Sequence, residues 1–358
     1  MTIGAFARSC GVTASALRFY ADSGLLVPAL VDGASAYRYY APDQVARATL
    51  IRQLRELDLS LAQIAEVLDA DAPATAERLI DEHVDALTAR LAAADGLAAA
   101  AKRTLRRGAG PTPPDPTPTD PTPTDPGPPG HGVTVTGAVF VAAVEQVLTA
   151  TAWDPAFPVL NGVHLEAGDG SLTLTATDRY RLATRTLVPR EHGATPWAVT
   201  VRGTELWSMT PWLRRRPVVR LQPRGPHLEA ASGDDVRRCT TLGTGFPDHR
   251  RMLAALPEPA TRALLARHRL LAALETAPAP HVRLVVDETV TVGSRSVPAT
   301  VTGPPVVVDF DLSTLYPTIS SAVGPEVMLE LTDPDQPVLV RSADTGDLTA
   351  VAMPIRVE

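Results

Sequence analysis

The sequence predicts a multidomain protein: a helical N-terminal part, a proline-rich linker, and two tandem α+β domains. Three observations carry this. The stretch PTPPDPTPTDPTPTDPGPPG, from Pro111 to Gly130, holds ten prolines and almost nothing that could be buried. Upstream of it, apolar residues recur at helical spacing; downstream, the spacing switches to period two. At 358 residues and 45% apolar content, the chain has room for two or three domains, with aliphatic cores because only 4% is aromatic.

Within the N-terminal part, Thr2 is placed to cap a helix over Ile3–Cys10 that Gly11 ends, and Thr13 to cap a second, stopped near Gly24. The segment VPALVDGASAYRYY (Val27–Tyr40) sets an Asp32-Gly33 turn between extended flanks, a hairpin signal. Pro42 opens a third helix through Leu57, and Ser60 with Gln63 forms a capping box for Leu61–Leu68. Further on, Ile80, Val84, Leu87, Leu91, Ala94, Ala98, Ala101 and Leu105 alternate in steps of four and three, an a/d seam. That seam predicts a homodimer through the 76–106 helix. The linker follows. Proline fixes φ and removes a donor, so neither helix nor sheet ladder can form there. In polyproline II its ~20 residues reach roughly 60 Å.

Two short helices, a tight turn and a hairpin make a winged helix-turn-helix. The strings IGAFARSCGVTASALRFYADSGLLVP and AYRYYAPDQVARATLIRQLRELDLSLAQIAEVL resemble the MerR family of transcriptional regulators. The resemblance implies a dimer that binds a double-stranded DNA operator. The second helix would enter the major groove: Thr13, Ala14 and Ser15 are small enough to sit there, Arg18 can reach a phosphate or a guanine edge, and Tyr20 can donate to a phosphate. Tyr37, Arg38 and Tyr39 would meet the backbone as the wing. Leu30 stands where the family has an arginine, so one wing contact is expected to be missing. Metal-sensing relatives carry cysteines near the start of the long helix; here the two cysteines are Cys10 and Cys239, so no metal site and no cofactor is expected.

Beyond the linker, helices are expected at Val139–Ala152, Glu205–Leu213, Arg262–Thr276 and Leu312–Ala322, with alternating strands between them. The order of elements recurs, which suggests an internal duplication. The strings FPVLNGVHLE, LTATDRYRLA, GFPDHRRML and AVAMPIRV resemble the second and third domains of the bacterial sliding clamp, the DNA polymerase III beta subunit. The expected organisation is therefore residues 1–72 DNA-binding domain, 73–107 coiled-coil helix, 108–132 linker, and DNA-clamp-like domains at 133–245 and 246–358.

The clamp resemblance implies a peptide-binding groove. Leu160, Thr177, Arg179, Tyr180, Arg181 and Leu182 would form one wall, Pro247, Arg251 and Met252 the junction, and Val351, Met353, Pro354 and Ile355 the other wall. An apolar slot with a few polar guides suits an extended peptide bearing leucine or phenylalanine. Arg179 stands where the family has glycine, and Ala279 where a phenylalanine closes the pocket, so the range of ligands is expected to differ.

Charge separates the two parts. Residues 1–55 carry six arginines against three aspartates, whereas residues 133–358 carry 21 basic and 24 acidic side chains. The helix after Gly137 has Glu145 as its charged side chain and Leu312–Gly324 has no basic residue, which argues against loose phosphate neutralisation of an encircled duplex. There is no H-E-x-x-H, no G-x-S-x-G and no phosphate-binding glycine loop, so an enzyme is not expected. No window reaches a membrane span, and the cytoplasm is the expected location. Two functions stay open: a MerR-type regulator whose effector is a clamp-binding peptide, a replication protein's tail or a cyclic peptide antibiotic; or a clamp-like decoy or adaptor without transcriptional response.

Overall fold

The computed structural model describes every residue except 33–36, 58, 89–131, 153, 155, 244, 278–279, 344–346 and 357–358. The linker, the seam from Leu91 onward and Ala279 therefore lie outside the described residues. The chain divides into two compact units, Met1–Ser60 with Pro128–Glu358, and Leu61–Gly127.

In the first unit, α1 (Ile3–Cys10) starts where Thr2 Oγ1 accepts from the Ala5 amide and stops at Gly11, whose φ of 69° is one that side chains with a Cβ avoid. Thr13 caps α2 (Ala14–Asp22), its hydroxyl accepting from the Ala16 amide at 2.9 Å. β1 (Leu30–Val31) pairs antiparallel with β2 (Arg38–Tyr39), and α3 (Gln44–Glu56) follows. Phe6, Leu17, Phe19, Tyr20, Leu26, Tyr40, Ile51 and Leu54 fill the interior of this small domain. Phe6 stacks on Tyr40 at 4.7 Å, and Tyr40 donates its hydroxyl to the Leu17 carbonyl. Tyr40 thus buries its ring and satisfies its polar tip.

The clamp-like part is a 14-stranded sheet with a separate four-stranded sheet beside it. Its strands are β3 (Val133–Val135), β4 (Gly162–Gly168), β5 (Ser171–Thr177), β6 (Arg181–Leu187), β7 (Glu191–His192), β8 (Trp197–Arg202), β9 (Val219–Arg224), β10 (His227–Ser232), β11 (Asp235–Leu242) and β12 (Thr261–Ala266). β13 (His281–Val286), β14 (Val290–Val292), β15 (Arg295–Val297) and β17 (Val306–Asp311) make the small sheet. β16 (Ala299–Thr302), β18 (Glu326–Leu331), β19 (Val338–Ala343) and β20 (Asp347–Ala352) complete the large one. The two clamp-like stretches meet where β20 pairs antiparallel with β6, Val351 opposite Leu182 and Ala350 opposite Ala183.

The helices are α6 (Gly137–Leu148), α7 (Gly203–Arg214), α8 (His249–Ala254), α9 (Arg267–Glu275) and α10 (Leu312–Ser320). One expectation fails here. The predicted Arg262–Thr276 helix starts only at Arg267, because Thr261–Ala266 is a strand hydrogen-bonded on both edges, to β16 and β18. Its burial alternates, with Thr261, Ala263 and Leu265 inward, so sheet pairing overrode the helix-forming Ala, Leu and Arg of TRALLA. The last strands before α10 were not anticipated either. They are short, and β16 lies at a sheet edge.

In the second unit, α4 (Leu61–Leu68) is followed by a helix over 73–88, here α5. Val84 is 39% exposed and Ile80 and Leu87 are half-buried, so the described part of the seam is incompletely covered within one chain.

The start of α6 lies hard against the end of α7. A Cβ at Gly137 would sit 2.2 Å from the Arg216 carbonyl oxygen and 2.3 Å from that of Leu213. Neither backbone atom can swing away as a side chain could. The Gly137→Ala protein should therefore lose about 1–3 kcal/mol of stability through overpacking, read as a fall of several degrees in the thermal unfolding midpoint.

Candidate functional site

Two surfaces carry the residues singled out by the sequence. On the DNA-reading side, α2 leaves Arg18 exposed, and Tyr37 is 40% exposed with its ring 5.3 Å from that of Tyr39. Ala14 is half-buried, and Ser15 lies in the first turn of α2. Tyr20 departs from expectation. It is fully buried beside Phe19, ring centroids 6.1 Å apart, and so faces the core and not a phosphate. Its position at i+3 from the buried Leu17 puts it on the apolar stripe of the helix. Thr13 is also buried, its hydroxyl occupied as the cap of α2. Arg38 is committed inside the domain: Nη2 lies 2.6 Å from Asp22 Oδ1, and Nη1 donates to the Arg18 carbonyl. It fastens wing to helix instead of reaching outward.

Of the expected groove residues, the pairing of β6 with β20 brings Arg181 and Leu182 together with Val351, and Tyr180 with Met353. The Met353 amide donates to the Tyr180 carbonyl at 2.9 Å, which closes the two expected walls onto each other. Leu160, Thr177, Leu182 and Val351 are buried, while Tyr180 (62%), Met252 (43%) and Met353 (37%) stand exposed. Pro354 and Ile355 are half-buried, and the Ile355 amide donates to the Asp309 carbonyl. Pro247 and Arg251 are exposed at α8, which Asp248 caps by accepting from the Arg251 amide at 3.0 Å. Tyr180 and Met353, exposed side by side on the β6–β20 seam, are side chains that adapt their shape to an apolar ligand.

The turn before β6 is built by one carboxylate. Asp178 Oδ1 accepts from the amides of Tyr180 and Arg181, and Oδ2 accepts from Arg181 Nε at 2.8 Å and Nη2 at 2.6 Å. Arg181 is thereby a brace for the turn that displays Tyr180. Arg179 has φ 80°, the left-handed region where a side chain with a Cβ is strained. Its guanidinium lies over the Phe157 ring at 4.6 Å and 3.6 Å from Asp154. A cation–π contact and an exposed ion pair together offset part of that strain.

Sequence reasoning missed two clusters. Beside α8, His164 stacks on Phe246 at 4.7 Å and its Nδ1 lies 2.9 Å from Thr200 Oγ1. His249 Nε2 is 3.3 Å from Thr175 Oγ1 and 3.4 Å from Glu166 Oε2, with Arg250 3.4 Å from the other Glu166 oxygen. The only sequence signal was the pair of histidines inside two clamp-like strings. The second cluster is a cavity of about 680 Å³ lined by Arg215, Arg216, Arg237 and Arg238 around Trp212. Its cations come from Arg214–Arg216 and the β10–β11 hairpin, a run the sequence reading passed over. Arg216 and Arg237 lie 5.3 and 5.8 Å from the Trp212 ring, and Asp235 neutralises Arg216.

With these surfaces in place, comparison with known proteins is direct. Residues 1–71 match the family described as MerR HTH family regulatory protein, and residues 45–100 the one described as MerR, DNA binding. The chain is 31% identical over 115 residues to heavy metal-dependent transcription regulator 2 of Rhizobium meliloti, covering 31% of this chain and 75% of that protein. This chain belongs to the MerR family. Residues 134–248 match DNA polymerase III beta subunit, central domain. The beta sliding clamp homolog GriR of Streptomyces muensis is 31% identical over 122 residues, a third of each chain. The Pseudomonas aeruginosa sliding clamp solved with griselimycin superposes with a TM-score of 0.58 at 21% identity, covering 66% of this chain and 68% of that one. The matched regions span 14–40% of the length of several curated relatives. The MerR-family protein thus joins a MerR-type helix-turn-helix module to a sliding-clamp-like one.

Burial pushes the His164 and His249 imidazoles below the ordinary histidine value of 6.5, with Glu166 opposing and Arg250 adding to the shift. The unfolded chain therefore binds more protons than the folded one near pH 6, so stability rises with pH there. The contribution is complete above the unfolded value and lost as pH falls through the folded one. Thermal unfolding midpoints of this MerR-family regulator should drop between pH 7.5 and 5.5, and the drop should shrink in the His164→Gln, His249→Gln protein.

Proposed function

We propose that the protein is a dimeric MerR-type regulator whose clamp-like groove receives a short apolar peptide, or a clamp-directed cyclic peptide of the griselimycin kind, as its effector. What supports this is exposed Tyr180 and Met353, joined by a hydrogen bond, beside buried Leu182 and Val351 on the β6–β20 seam. A side chain such as leucine would gain its apolar transfer free energy there, and Arg251 supplies an exposed cation at the rim. A clamp of the same fold has been solved bound to griselimycin, and GriR is a beta sliding clamp homolog. DNA would be read by Arg18 and Tyr37, with the α5 seam pairing two chains. The protein acts by binding, without catalysis.

The decoy reading has its own support, because every groove residue lies within one chain and needs no DNA. One titration separates the two. Griselimycin added to the intact protein should bind, and the Tyr180→Ala, Met353→Ala protein should bind at least about ten-fold more weakly, the loss typical of two truncated anchors. A regulator changes its affinity for duplex DNA when the groove is filled. A decoy binds griselimycin with DNA affinity unmoved. Absence of binding at any concentration would sink both.

Dimerisation is checked separately. A charge in an a/d seam leaves a buried ion without a partner. The Val84→Asp, Leu87→Asp protein should sediment as a monomer at micromolar concentration where the parent sediments as a dimer.

A further inference from the structure

The DNA-reading helix is not free in this structure. β19 of the clamp-like part packs against α2. Arg341 on β19 has a side chain only 11% exposed, and its Nη1 lies 3.1 Å from Asp22 Oδ2 at the end of α2 and 2.9 Å from Glu330 Oε1 on β18. Because Asp22 also takes Arg38 through its other oxygen, one carboxylate ties reading helix, wing and clamp-like sheet together. A second bond lies along the same edge. Arg55, its side chain 1% exposed at the end of α3, places Nη1 3.2 Å from Glu326 Oε2 at the start of β18. Arg18, the exposed cation of α2, shares a cavity of about 550 Å³ with Glu258, Glu330, Leu339 and Arg341 of the clamp-like part.

The charge pairing is that of a contact made to be broken. Among the cross-module partners, Arg341, Asp22 and Arg55 each have a second partner at home. Glu330 keeps Arg341 and Arg262, the latter at 3.3 Å; Asp22 keeps Arg38; Arg55 still donates to the Leu59 carbonyl at 3.0 Å. Separation therefore leaves Arg341, Asp22 and Arg55 each with a partner, and avoids the cost of stranding these buried groups unpaired. The helix that reads DNA must enter a groove about 12 Å wide with phosphates on either side. A strand lying against that helix occupies the space the phosphates need.

We infer that the β18–β19 face of the clamp-like part is a docking surface for the chain's own DNA-reading helix, and that this docked form is closed to operator. The surface also adjoins the groove. β19 pairs along its length with β20, from Val338 opposite Ala352 to Ser342 opposite Leu348, and β20 runs directly into Met353 and Ile355. A ligand that displaces the end of β20 is one strand away from the docked helix. That coupling rests on the groove reading proposed above; the docking itself does not.

The test uses the full-length protein and a duplex enriched by that protein from a random library. Arg341→Met and Glu326→Gln each remove one cross-module charge and leave the home pairs of Asp22 and Arg55 intact. Their double variant should bind the duplex at least about ten-fold more tightly, as expected when the competent fraction rises from a minority. Amide hydrogen exchange should quicken in α2 and β19 together, with the rest of the sheet unchanged. Faster exchange without tighter binding would show that the docked face leaves DNA access open, and unchanged exchange would show that these charges do not hold the helix. Either result overturns the proposal. Glu326→Gln alone, at the more open position, carries the test if Arg341→Met does not fold. Griselimycin that binds without altering exchange in α2 removes the coupling only; griselimycin that fails to bind removes the groove reading and leaves the docking result standing.

Discussion

The pairing of β20 with β6 is the constraint on which the rest of the clamp-like part depends. These two strands come from opposite ends of that part, and their register places Val351 opposite Leu182 and brings the Met353 amide to the Tyr180 carbonyl. A slip of one residue would turn buried Leu182 and Val351 outward and the exposed rim inward, because side chains alternate with period two. The groove is thus a property of register, not of any single residue. The same strand is flanked on its other edge by β19, so whatever fixes β20 also fixes the position of Arg341.

Strain at Arg179 has meaning within this frame. A glycine would reach φ 80° without cost, and an arginine there is strained unless neighbours hold it. Phe157 and Asp154 hold it, at 4.6 and 3.6 Å. The guanidinium then lies across an aromatic ring beside the Tyr180 rim. The substitution therefore changes the shape and charge of the rim while preserving the turn, because the turn is secured independently by Asp178 and the Arg181 fork. Ligand selectivity and fold are decoupled at this corner.

Much of this was legible in the sequence, for identifiable reasons. Caps at Thr2 and Thr13 and the stop at Gly11 are local signals, and local signals survive the absence of tertiary information. The family strings placed Leu182 and Val351 in two stretches far apart in sequence that the fold pairs across one seam. What failed was non-local. TRALLA is a good helix former until β16 and β18 pair with it, and nothing within six residues announces those partners. Tyr20 was misread because a tyrosine on a reading helix looks like a phosphate ligand, while its place at i+3 from Leu17 assigns it to the core stripe. The docking of Asp22 on Arg341 joins residues 319 apart and has no local signature at all.

The proline-rich tether gives that docking its logic. A proline-rich stretch has no helix or sheet hydrogen bonds to carry strain along it, so a signal received in the clamp-like part needs some other route to α2. A tether of about 20 residues holds the two modules at an effective concentration in the millimolar range. An interface too weak to form between separate chains is then well populated within one chain, and its few buried charges suffice. The same weakness keeps the docked state within reach of DNA, whose many phosphate contacts can outcompete two ion pairs. A stronger, more apolar interface would lock the reading helix away permanently, and a stiffer or shorter tether would remove the freedom to exchange one partner for the other.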